Sequence, residues 1–86
     1  MSSLLADAVA AVMPSVRADL ERLVRIPSVS ADPAAAPRLT ESAELVAELL
    51  RGVGMDEVEI LTVDGGRPAV LARRAGPAGA PTVLLY

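Results

Sequence analysis

Cysteine and histidine are absent from this 86-residue sequence, and so are lysine, tryptophan and phenylalanine. Without cysteine there is no disulfide, no thiol nucleophile and no zinc–thiolate site. Without histidine the commonest general base at neutral pH is missing. The single aromatic residue is Tyr86, the last in the sequence. No apolar run approaches the ~20 residues that span a bilayer. The apolar stretch at residues 8–13 follows Asp7 and has no basic region before it, so it does not make a secretory core. A cytoplasmic protein with no membrane partner is expected. Positive charge is also scarce: eight arginines face 11 acidic residues, the net charge is −3, and no basic block occurs. Nucleic-acid binding needs a clustered positive footprint, so no nucleic-acid partner is expected.

The composition is 52% hydrophobic, which is globular rather than disordered. The length allows one small domain. A chain of this size buries only about 60% of the surface its unfolded form exposes. Its apolar residues are mostly Ala, Val and Leu. A domain this small usually closes its core with large side chains, disulfides or a metal. None is evident, so the core is expected to be shared with further sequence, and the isolated chain to be poorly folded.

Leu5, Val9, Val12, Val16, Leu20, Leu23 and Val24 step by three or four and predict one buried helix face. Ser2 or Ser3 can cap the start. Pro14 lacks a backbone donor and predicts either a kink or a restart there. Glu21 and Arg25 form an i,i+4 pair, and Pro27 ends the helix. A loop follows at residues 28–37. A second helix then opens at Asp32-Pro33 or at Pro37. Its buried stripe is Leu39, Ala43, Val46, Leu49 and Leu50, with Glu41, Glu44, Glu48 and Arg51 facing water and Gly52 and Gly54 as left-handed stops. Residues 58–63 and 68–74 read as strands joined by the turn Asp64-Gly65-Gly66-Arg67, hence a hairpin. After a loop at residues 75–81, residues 82–86 begin a third strand. Val83, Leu84, Leu85 and Tyr86 are apolar without alternation, the pattern of a strand covered on both faces.

Four groups are candidates for chemistry. Asp56, Glu57, Glu59 and Asp64 are the densest acidic run and could offer oxygen ligands to a hard cation. Their spacing resembles no calcium loop, and a solvated strand edge and turn is the preferred reading. Gly52 with Gly54, and Gly65 with Gly66, could suggest a phosphate loop. A dinucleotide fingerprint follows a strand and opens a helix, which neither pair does, so both read as punctuation. Ser28 and Ser30 are potential nucleophiles, but no His or Lys is present to activate them. Arg73 and Arg74 could hold an anion, although a charged strand edge is the simpler reading.

The segment Leu20-Glu21-Arg22-Leu23-Val24-Arg25-Ile26-Pro27-Ser28-Val29-Ser30 resembles the opening helix and Ile-Pro-Ser turn of a known family. This is the zinc-dependent metallopeptidase family of carnosinase-like dipeptidases, glutamate carboxypeptidase, aminoacylase and succinyl-diaminopimelate desuccinylase. Residues 40–54 are similar to its second helix, 58–63 and 69–74 to its first two strands, and Pro81-Thr82-Val83-Leu84-Leu85-Tyr86 to its third. The likeness covers essentially the whole chain, and the Val-Leu-Leu-Tyr ending leans toward the dipeptidases.

The resemblance implies an α/β fold: two N-terminal helices, a β-hairpin and the start of a core strand of a larger mixed-sheet catalytic domain. Residues 1–86 would be the N-terminal part of that domain, with its remainder and a lid domain for dimerisation absent. In the family the third strand runs into a Gly-His-x-Asp motif whose His is the first zinc ligand. Tyr86 stands where that motif would begin, so no catalytic, metal-binding or substrate-binding residue of the family falls on any position here. The full enzyme would carry two zinc ions, hydrolyse a small peptide or N-acyl amino acid, and form a homodimer. This part would bind no zinc and would be inactive alone. Two other readings stand beside it: a small non-enzymatic helical interaction module, and a truncated pseudogene product.

Overall fold

The computed structural model describes residues 2–86, the side chain of Ser2 excepted. Helix α1 spans Ser2–Val24 and helix α2 Ala36–Gly52, preceded by a short 3-10 turn at Pro33–Ala35. Strands β1 (Glu57–Leu61) and β2 (Ala69–Arg73) come next. The coarse class is therefore mixed α and β, with a two-stranded antiparallel sheet.

Helix α1 runs unbroken through Pro14. The proline leaves one carbonyl of the preceding turn without its usual partner. Beside it the Ser15 hydroxyl donates to the Val12 carbonyl at 2.8 Å. No restart occurs, so Ser3 lies inside the first turn rather than capping it, and the side chain of Ser2 lies outside the described residues. The helix ends just short of Pro27, as its sequence predicts. The Ile26 N–H still reaches the Leu23 carbonyl at 3.2 Å, and the Ser28 N–H turns back to the Ile26 carbonyl at 2.8 Å.

Helix α2 begins at both expected places in succession. Asp32 caps the 3-10 turn, its Oδ1 accepting the Ala34 N–H at 3.0 Å. Pro37 then sits in the first turn of α2, where a missing donor does no harm. The far end closes by the two backbone bonds of a Schellman motif. Met55 N–H reaches the Leu50 carbonyl at 3.3 Å and Gly54 N–H the Arg51 carbonyl at 3.1 Å. Gly54 takes the left-handed conformation this needs, at φ 85°. Gly52 does not: it is the last helical residue, so only one of the two glycines is a left-handed stop.

The strands pair from Glu57 opposite Arg73 to Leu61 opposite Ala69. Opposed residues share a face. Val58 with Ala72 and Ile60 with Val70 form the half-buried face, and α2 packs on both strands. The connection at residues 62–68 is longer than a tight two-residue turn. Within it the Gly66 N–H bonds the Val63 carbonyl at 3.0 Å, with Gly65 at φ 73°.

Two further expectations fail. Residues 82–86 form no strand. Thr82, Val83 and Leu84 lie near Leu71 and Arg73 of the outer sheet face without joining the ladder. An apolar run becomes a strand only by pairing with a strand edge, and residues 82–86 pair with neither open edge of the two-stranded sheet. The predicted buried face of α1 is also exposed. Among the described residues the only buried ones are Ala35, Ala43 and Ala47, with Ala47 at 0% exposure. Helix α1 meets α2 only near its end, where Arg22 reaches Glu48 at 3.4 Å. From Leu4 to Leu20 its large apolar side chains remain between 49% and 71% exposed, because no second surface lies against them.

Candidate functional site

The acidic run does not converge. Asp56 is engaged at the open end of the hairpin. Its N–H donates to the Arg73 carbonyl at 2.9 Å and its Oδ2 accepts the Ala75 N–H at 2.6 Å. These two bonds fix where the chain leaves β2. Glu57 and Glu59 point from the outer sheet face, since they alternate with the half-buried Val58 and Ile60. Asp64 lies in the loop at the other end of β1. A strand advances about 3.3 Å per residue, so Asp56 and Asp64 sit at opposite ends of the sheet. Among the described residues no three His, Cys, Asp or Glu side chains gather as a metal site would require.

Arg73 and Arg74 border the same shallow depression as Asp56 and Glu57, beside Thr82, Val83 and Leu84. Arg73 stands opposite Glu57 in the register. Two cations and two carboxylates there balance one another, so the depression has no excess charge with which to hold an anion. The glycine pairs behave as chain punctuation. Gly52 is the last residue of α2 and Gly54 closes it, Gly65 and Gly66 turn between strands, and neither pair opens a helix onto which a phosphate could dock.

Ser28 is half-buried and lines a groove with Leu39, Ser42, Ala43, Val46, Pro68 and Val70. Those neighbours are apolar apart from Ser42, and none can take a proton from the hydroxyl. Ser30 acts through its backbone. The Arg67 guanidinium donates from Nε to the Ser30 carbonyl at 2.8 Å, tying the hairpin loop to the loop after α1. This tether joins residues 37 apart. Nothing in the order of residues marks it, because Arg67 reads in sequence only as the last position of a turn.

A second grouping invisible in the sequence lies between the helices. Arg22, Arg25, Glu41, Glu44 and Glu48 line a charged cleft floored by Ile26 and Leu45. Arg22 also meets Asp19 at 3.7 Å, and Arg25 meets Glu21 at 3.9 Å, the latter being the expected i,i+4 pair. These are exposed pairs, each contributing roughly 0–1 kcal/mol. Arg22 on α1 and Arg25 just past its end, whose N–H still reaches the Glu21 carbonyl at 3.1 Å, are three residues apart, but only folding sets them against the glutamates of α2.

The arrangement thus offers tethers, caps and surface ion pairs. Among the described residues no nucleophile stands with a base. No helix there is long and apolar enough to cross a membrane. Compared with known family models, with curated proteins and with solved structures, the chain matches none.

Proposed function

We propose that residues 1–86 are the N-terminal part of the catalytic domain of a zinc-dependent dipeptidase or amidohydrolase-type peptidase. The observation that carries this reading is the segment from Leu20 to Ser30, an amphipathic helix running into Ile26-Pro27-Ser28. Its support is the order of the later elements: a second helix closed on Gly54, then a hairpin, then the apolar run ending Val83-Leu84-Leu85-Tyr86.

The residues present do not fit the metal of that family. There is no histidine or cysteine, and the carboxylates among the described residues do not cluster. No catalytic step falls to this chain. Its part in such an enzyme is scaffolding. Helix α2 supports one face of the hairpin, Arg67 holds the Ile-Pro-Ser loop, and Asp56 aims the chain leaving β2. The zinc ions, the small peptide or N-acyl amino acid substrate and the homodimer belong to the whole enzyme under this proposal.

The test is to read the coding DNA beyond the Tyr86 codon and assay the longer product. An open frame starting with Gly-His-x-Asp is expected, together with dipeptide hydrolysis that a chelator abolishes. An immediate stop codon, or a longer product without hydrolysis, would remove the reading.

The exposed apolar face of α1 favours a second reading, a non-enzymatic interaction module. Folded dimers of the 86-residue chain in sedimentation at micromolar concentration would support it. A molten or aggregating chain would reject it.

A further inference from the structure

We draw no further inference here: the strongest candidate, the exposed apolar face of α1 formed by Leu5, Val9, Val12, Val16 and Leu20, is an unpartnered helix face, and nothing in the structure shows what covers it.

Discussion

Gly52 and Gly54 look alike in the sequence and do opposite things. Gly54 holds φ 85°, a region that costs an L-residue about 1–2 kcal/mol. Gly52 is helical, and apart from its chain neighbours and the backbone of its own helix no atom lies within 4 Å of where its Cβ would stand. Gly54→Ala should therefore loosen the end of α2 by about 1–2 kcal/mol. Gly52→Ala should strengthen the helix by about 0.5–1 kcal/mol. Far-UV circular dichroism at 222 nm reads both, and the two variants should move in opposite directions. Movement in the same direction would contradict the Schellman closure. Ala47 gives a second contrast. Among the described residues it is the one at 0% exposure, so a carboxylate there would lose its water without gaining a partner. Ala47→Glu should free the hairpin from α2, seen as loss of amide protection along Glu57–Leu61. Glu44→Ala, at an exposed site one turn earlier, should change little. Ala47 was not legible as a core position: the predicted stripe of Leu39, Ala43, Val46, Leu49 and Leu50 includes the buried Ala43 but passes over Ala47. An alanine is buried where a neighbouring element comes close, and the sequence does not record that approach.

At the scale of elements, α2 and α1 carry similar patterns and meet different fates. Both have apolar residues at helical spacing. The α2 stripe is half-buried or buried because the hairpin lies on it, whereas the α1 stripe meets no partner before Leu23. A helix without tertiary support is marginal in water. Pro14 weakens it further, a proline in a helix interior being about 3 kcal/mol less favourable than alanine. Pro14→Ala should then raise the helical signal at 222 nm clearly. An unchanged spectrum would mean that residues 2–13 are not held as a helix by local interactions. The hairpin was readable from two strand-forming segments joined by a glycine turn, and its register is set because Val58 and Ile60 must share the covered face. Residues 82–86 read as a strand from an apolar run without alternation, and they form none. An apolar run reports a demand for cover, but a ladder also requires its backbone to pair with a strand edge.

The whole molecule is extended for its length. Its radius of gyration is 15.8 Å, against about 12 Å for a compact domain of this many residues. It measures 48 × 33 × 18 Å, and no large side chain among the described residues is fully buried. Exposed Val83, Leu84 and Leu85 add to the uncovered apolar surface. Cooperative unfolding depends on a shared core, so the isolated chain should lose structure gradually in urea. It should also bind a hydrophobic dye under native conditions. A sigmoidal transition with a slope appropriate to its size would refute this. The local effects of the single substitutions are accordingly read by helicity and amide protection rather than by a melting midpoint.

The sequence by itself determined the helices, the end of the first at the Ile26-Pro27-Ser28 turn and of the second within residues 52–54, and the hairpin. These depend on backbone propensity, proline geometry and capping within a few residues. The tertiary structure decided which apolar face is covered, that Ala47 is the centre of the small core, and that Arg67 holds the loop at Ser30. It also decided that residues 82–86 stay outside the sheet. Burial and strand pairing are properties of two surfaces in contact, and a pattern on one surface does not specify the other.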